Sequence, residues 1–248
     1  MPRIDLNCDL GEGAGHDAEL MALITSANIA CGGHAGDEDT MRELCLLAWD
    51  QSVAIGAHPG FADRENFGRR EILVTPREAA DLIFYQTRAL QEIAVACGGR
   101  VMHVKPHGAL YNMAARDAAL ARAVAEAVHE ADPRLVLYAL AGSELVAAGR
   151  ACGLAVAEEV FADRTYQPDG SLTPRTRSNA LITDAALAVA QTLHIVRDGH
   201  VRAMGGTSVA LHADTVCLHG DGAHAVAFAT RLNAELRQAG IELKAFAS

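Results

Sequence analysis

Short runs of β-forming residues alternate with longer helical stretches along the chain, and this alternation limits the fold more than any other feature. The runs at residues 4–8, 27–31, 53–57, 101–104, 135–139, 155–160 and 215–218 read as strands. Between them lie Ala-rich segments whose apolar residues recur at about 3.6 positions, the period of a helix. "PREAADLIFYQTRALQEIAVACGG" opens with Pro76 in its first turn and stops at Gly98 and Gly99, and "RDAALARAVAEAVHEADP" ends before Pro133. Alternation of this kind implies a parallel sheet. About seven such units, uninterrupted by a Ser/Pro-rich linker, a repeat or a low-complexity tract, predict an α/β fold of the (β/α) barrel type. It is expected to form one domain over residues 1–248. An open doubly wound sheet is the other arrangement compatible with the pattern.

Composition supports this and narrows the function. Half of the 248 residues are hydrophobic, enough for the core of one barrel-sized domain. The formal net charge is -10, and the longest basic run is the pair Arg69 and Arg70, so nucleic acid and anionic membrane are not expected partners. "MPRIDLNCDLGEG" reaches Asp5 and Asp9 too early for an apolar signal core, and no later run has the length of a membrane span, which predicts a cytoplasmic protein. Cys8, Cys31, Cys45, Cys97, Cys152 and Cys217 form no C-x-x-C pair and read as reduced, mostly buried residues.

The chemistry sits where the strands end. "NCDLGEG", "NIACGGHAGD", "AIGAHPGFADRENFGRR", "HVKPHGALYN", "EVFADRTYQPDG" and "VCLHGDG" each place His, Asp, Lys or Gly directly after a β-like run. In parallel α/β folds the carboxyl ends of the strands face one side, so Asp9, His34, Asp37, His58, Lys105, His107, Asp163 and Asp221 are expected to converge there. His34, His58, His107 and His219 each follow a different strand and are flanked by Gly or Pro that admits close approach of backbone to a ligand. His103, within a strand, reads as barrel lining. His16, His129, His194, His200 and His224 read as structural or surface residues. Lys105 and Lys244 are the only lysines among 21 basic residues, which points to a place for a compact ammonium at Lys105.

"DLNCDLGEG", "SANIACGGHAGD", "AIGAHPGF", "FGRR", "HVKPHGALYNMAA", "LAGSEL", "EVFADRTYQPDGSLTPR" and "ADTVCLHGD" together resemble the serial motifs of the LamB/YcsF family. The likeness runs from Ile4 to about Ile241. It implies a barrel akin to those of polysaccharide deacetylases and glycoside hydrolases. It also implies a part in the ATP-dependent opening of 5-oxoproline to L-glutamate by a 5-oxoprolinase, in complex with separate B and C subunits. Three stretches depart from the family pattern. "AGHDAELM" is a short first loop, Gly33 stands where an aromatic is common, and "RSNALI" lacks a Pro-Gly pair near residues 178 and 179. Loss of the ring at Gly33 is expected to open one wall of the pocket.

On the scheme the resemblance implies, ATP and its Mg2+ act at the partner subunits, because this chain has no G-x-x-x-x-G-K-[ST] loop and its nearest glycine cluster, "RAMGGTS", lacks the lysine. Asp9 or His58 would be the general base on water, and His107 or His219 would protonate the departing ring nitrogen. Lys105 would be a fixed positive charge toward the phosphate or oxyanion. His34, Asp37, Asp163 and Asp221 would contact substrate, with Arg69, Arg70, Arg164 or Arg175 gripping its carboxylate. Two other readings stand beside this one. Asp9, His34 and His58 suit the ligand set of a metal-dependent deacetylase acting on a carbohydrate or amide. Alternatively, the chain is a non-catalytic subunit that binds the lactam and presents it to its partners.

Overall fold

The computed structural model of the chain describes residues 2–219 and 225–247. Its strands are β1 (Arg3–Leu10), β2 (Ser26–Ala30), β3 (Ala54–His58), β4 (Val101–Val104), β5 (Val136–Leu140), β6 (Ala155–Phe161), β7 (His200–Arg202), β8 (Ser208–Ala210), β9 (Thr215–Leu218) and β10 (Glu242–Leu243). The seven strands β1, β2, β3, β4, β5, β6 and β9 pair in parallel in that order, and β9 pairs back onto β1 to close the barrel. Each is one of the runs expected from sequence. β10 pairs with the start of β1, and β7 and β8 form a separate antiparallel hairpin. These three were not anticipated, because strands of two or three residues carry almost no periodic pattern.

The helices are α1 (Asp17–Met21), α2 (Glu38–Asp50), α3 (Pro76–Ala96), α4 (Gly108–Ala114), α5 (Ala118–Ala131), α6 (Glu144–Ala151), α7 (Ala185–Asp198) and α8 (Ala225–Gln238). Local chemistry sets their ends. Thr75 and Glu78 form a reciprocal capping box at the start of α3, with Pro76 at the first helical position. Past its end, Gly98 takes φ +83°, which L side chains rarely adopt. Asp117 caps α5 by accepting from the backbone N–H groups of Ala119 and Leu120. Among the described residues, no helix is long and apolar enough to cross a membrane.

Every residue of β1 after Arg3 is buried, with apolar Ile4, Leu6, Cys8 and Leu10 alternating with polar Asp5, Asn7 and Asp9. The period of two sends the first set out against the helices and the second into the barrel. The barrel is therefore polar along its axis. Asp5 accepts from the hydroxyls of Thr25, Ser26 and Thr215 at 2.5, 2.7 and 2.6 Å. One layer on, Asn7 donates to Glu159 Oε1 at 2.9 Å and accepts from Asn28 at 2.7 Å, while Asn28 Oδ1 accepts from His103 Nε2 at 2.8 Å. Lys105 closes the column. Its Nζ lies 2.9 Å from Asp9 Oδ1, 3.0 Å from Glu159 Oε1, 3.0 Å from Cys217 Sγ and 3.3 Å from Asn7 Oδ1. Burial alone would lower the Lys105 pKa, but Asp9, Cys217 and Glu159 outweigh it and hold the ammonium well above its ordinary value. His103 lines the barrel as expected, stacked on Tyr138 with ring centroids 4.1 Å apart.

Two consequences are measurable. Lys105→Met leaves the buried carboxylates of Asp9 and Glu159 without their cation, and a loss of about 3–5 kcal/mol is expected in chemical denaturation; an unchanged midpoint would show that the pair does not support the barrel. A Cβ at Gly56 would overlap the His103 imidazole, which Asn28 and Tyr138 hold in place. Gly56→Ala should therefore lower stability by about 1–3 kcal/mol, and a melting temperature equal to wild type would mean that the ring moves aside freely.

Candidate active site

The carboxyl ends of the barrel strands open into a cavity of about 820 Å³. Asp9, His58, Lys105, His107 and His219 line it, as do Phe161, Tyr111 and the loop between Gln167 and Thr176. Asp9 is the penultimate residue of β1 and His58 the last of β3. Lys105 and His219 directly follow β4 and β9, and His107 is the N-cap of α4. Five side chains from four strand ends thus reach one cavity, which parallel pairing and closure of the barrel produce without any further device.

Asp9 is shared. Its Oδ1 accepts from Lys105 and from Asn28 Nδ2 at 2.8 Å, and its Oδ2 lies 3.4 Å from His58 Nε2. Burial would raise its pKa, but the neighbouring His58 and Lys105 prevail and keep it well below the usual carboxylate range. His219 Nδ1 donates to Asp163, at 2.8 Å from one oxygen and 2.9 Å from the other, and its ring stacks on Phe161. Asp163 is half-buried, and its desolvation opposes ionisation, yet His219 beside it lowers its pKa. One nitrogen of His219, a carboxylate oxygen of Asp9 and Cys217 Sγ lie within 4.8 Å of one another.

A second cluster adjoins the first. Glu12, His34, His58 and His107 each place one donor atom within 4.8 Å of the others. His34 and His107 stack face to face, centroids 3.5 Å apart, and His58 meets both edge-on. Glu12 Oε1 lies 3.0 Å from His34 Nε2 and 3.2 Å from His107 Nδ1. Burial lowers the pKa of His34 to about 4 and lowers that of His107 as well, so both rings are neutral near pH 7. Burial would raise the Glu12 pKa, but its close contacts with His107 and His34 take it below the ordinary range. Asp9, grouped from sequence with His34 and His58, lies 3.4 Å from His58 but outside this cluster, in which Glu12 and His107 stand with the two histidines.

Other expected site residues have different positions. Asp37 caps α2, accepting from the Thr40 N–H at 2.8 Å and the Thr40 hydroxyl at 2.7 Å, and does not line the cavity. Asp163 lies behind His219, holding it, and is not part of the cavity lining either. Arg69, Arg70, Arg164 and Arg175 all border the cavity. The Arg69 guanidinium lies 4.6 Å from the centre of the Phe67 ring, and Arg70 lies 3.6 Å from Asp63. Arg164 is buried and donates to the carbonyls of Thr173 and Ala180, so it ties down the loop over the cavity. His107 lines the cavity, but its Nε2 faces the Phe67 carbonyl at 2.8 Å, an acceptor that takes the N–H of the ring, and its Nδ1 faces His58 Nε2 at 2.9 Å. Lys105 reaches the cavity floor with its ammonium already paired. Asp221 lies outside the described residues. At Gly33 a side chain would meet the Gly60 carbonyl at 2.5 Å and the Gln86 amide at 2.8 Å, so this glycine is a close-packed contact and does not open the pocket wall.

Glu12, Glu159, Asn7, Asn28 and Cys217 were not singled out from sequence. Glu12 lies inside "DLGEG" and carried the same strand-end signal as Asp9. Glu159, in "AVAEEVF", is a charged residue within a β-like run, a pattern that marks a side chain facing a polar interior.

Comparison with known proteins agrees with this architecture. The chain is 58% identical over 250 residues to the A subunit of the 5-oxoprolinase of Shouchella clausii, covering 99% of each. It matches the crystal structure of a lactam utilization protein from Thermus thermophilus with a TM-score of 0.91 and 43% identity, covering 98% of this chain and 100% of that one. A polysaccharide deacetylase from Bacillus cereus shares the fold alone, with a TM-score of 0.53 and 13% identity over 99% of this chain and 92% of that one. The LamB/YcsF family model matches residues 4–248, and with relatives this similar along the whole length the chain belongs to the LamB/YcsF family.

Proposed function

We propose that the chain is the A subunit of an ATP-dependent cytoplasmic 5-oxoprolinase and opens the activated lactam ring of 5-oxo-L-proline to L-glutamate, in complex with B and C subunits. The names of its relatives, one a component of 5-oxoprolinase and the other a lactam utilization protein, support this reading. The observation that carries it is the Asp163–His219 pair at the cavity. Donation of Nδ1–H to Asp163 fixes the tautomer and leaves Nε2 with a lone pair, the arrangement of a proton-transfer imidazole.

A five-membered lactam is a resonance-stabilised amide and resists water. Transfer of a phosphoryl group from ATP to the amide oxygen makes the ring carbon electrophilic. The chain has no phosphate-cradling G-x-x-x-x-G-K-[ST] loop, so this step, with its Mg2+, falls to the partners. Water then adds to the ring carbon while His219 takes its proton. His219 returns the proton to the ring nitrogen as the C–N bond breaks, and hydrolysis of the acyl phosphate left behind completes glutamate and phosphate. Asp9 suits the role of base less well than expected from sequence, since a carboxylate held far below its ordinary pKa accepts a proton poorly. It serves to fix Lys105 and to accept a hydrogen bond from the attacking water. Arg69, Arg70 and Arg175 border the cavity and would receive the substrate carboxylate.

The isolated chain should neither hydrolyse ATP nor open 5-oxoproline, and addition of purified B and C subunits should restore coupled release of glutamate and ADP. Robust ATP hydrolysis by the chain alone would overturn the division of labour. In the reconstituted complex, His219→Asn should reduce turnover by roughly 100-fold or more, on the scale of losing a general base, with a circular dichroism melt close to wild type. Full turnover in this variant would remove His219 from the proton transfer.

A further inference from the structure

We propose that Glu12, His34, His58 and His107 bind a divalent transition-metal ion. Backbone carbonyls locate the protons on two of the rings. His58 Nδ1 lies 2.7 Å from the carbonyl oxygen of Lys105, and His107 Nε2 lies 2.8 Å from the carbonyl oxygen of Phe67. A carbonyl only accepts, so each ring nitrogen there is an N–H donor. With a single proton on each ring, the opposite nitrogens, His58 Nε2 and His107 Nδ1, are then bare lone pairs. These two atoms face one another at 2.9 Å. Glu12 Oε1 joins them, 3.8 Å from the first and 3.2 Å from the second, with His34 Nε2 3.0 Å from the same oxygen.

Three acceptor atoms converging in a buried place require a positive charge among them. One proton can bridge a single pair of them. A cation at their centre meets all of them at once, with His34 Nε2 completing a set of three nitrogens and one carboxylate. Backbone carbonyls that take the far N–H of a ligating imidazole are the usual outer partners of a metal site, where they fix tautomer and ring orientation. Here two of the three histidines have such a partner already in place.

The surroundings are shaped for the cluster. A Cβ at Gly60 would stand 2.8 Å from His34 Nδ1, and one at Gly68 would stand 2.9 Å from His34 Cβ and 3.0 Å from His107 Cδ2. Both positions carry glycine, so the stacked imidazoles fit between β2, β3 and α4. The donor set, imidazole and carboxylate without thiolate, suits Zn2+, Co2+, Ni2+ or Fe2+ better than Ca2+ or Mg2+. The neighbouring group of Asp9, Cys217 and His219 is a poorer host, because the Lys105 ammonium stands 3.0 Å from Cys217 Sγ and 2.9 Å from Asp9 and would repel a dication. A metal ion held next to the cavity by His58 and His107 supplies Lewis-acid polarisation of a bound oxygen. That use rests on the ring-opening reading, whereas the site itself stands on its own geometry.

The probe is Co2+, added to full-length chain that has been purified without a chelating tag and stripped with EDTA. Expected are stoichiometric binding, visible d–d bands and no sulfur-to-cobalt charge-transfer band. Glu12→Gln and His107→Gln, both checked for folding by circular dichroism, should weaken binding at least about tenfold, the scale on which altering even a ligand's hydrogen-bond partner weakens a metal site. Cys217→Ser should bind as wild type does. No Co2+ uptake by the wild type would overturn the proposal, as would equal affinity in folded Glu12→Gln and His107→Gln. So would a charge-transfer band in the wild type that disappears in Cys217→Ser, a result that needs neither ligand variant to fold. Because occupancy is read and not turnover, a chain that binds Co2+ but opens no lactam with its partners overturns the ring-opening reading alone.

Discussion

A single ammonium inside a closed barrel constrains much of what surrounds it. Lys105 is 3% exposed, with most of its surface cut off from solvent, so the strands around it must supply its acceptors. β1 gives Asn7 and Asp9, β6 gives Glu159 and β9 gives Cys217. Each acceptor then needs partners of its own, which Asn28, Thr215 and Tyr111 provide. The polar column extends in this way to Asp5, whose pKa is raised by burial against the hydrogen bonds it accepts from Thr215, Thr25 and Ser26. The same residue also works through its backbone. The Lys105 carbonyl accepts from His58 Nδ1 and so decides which nitrogen of His58 faces the cluster, while the Lys105 N–H is anchored to the Ala57 carbonyl at 2.9 Å.

The alternation of short and long segments was sufficient to read the seven barrel strands, since each combines β-forming residues with a bounded length. It also placed Asp9, His58, Lys105, His107 and His219 around one cavity, because a parallel barrel sends every strand end to one side. What escaped were the features that depend on two distant strands at once. "IDLNCDL" shows a polar period of two, but only closure turns that period into an interior column and makes Glu159, more than 150 positions away in the chain, a neighbour of Asn7. Asp37 was misread for a local reason. An aspartate after a strand and a glycine looks the same whether it binds substrate or caps the next helix, and here Thr40 decides for the cap. Cys217 was set aside as a buried thiol, and burial does raise its pKa; what could not be read was the ammonium of Lys105 beside it.

Asp9 is the joint between the two halves of the site. One of its oxygens is committed to Lys105 and Asn28, the other faces His58, and a nitrogen of His219 lies within 4.8 Å of the group it shares with Cys217. The His-Glu cluster lies on the β2, β3 and α4 side, and the Asp163–His219 pair on the β6 and β9 side. A ligand over the floor of the cavity therefore has an oriented imidazole on one flank and a nest of lone pairs on the other. The carboxylate between them is held well below its ordinary pKa by His58 and by Lys105, whose ammonium is fixed by the barrel itself. Rotating Asp9 to serve either flank would break its bond to Lys105, and the barrel interior resists that because Asn7, Asn28 and Glu159 are all tied into the same column. The floor of the cavity is thus held by the fold's interior and not by its loops, and Arg69, Arg70 and Arg175 border the cavity above it.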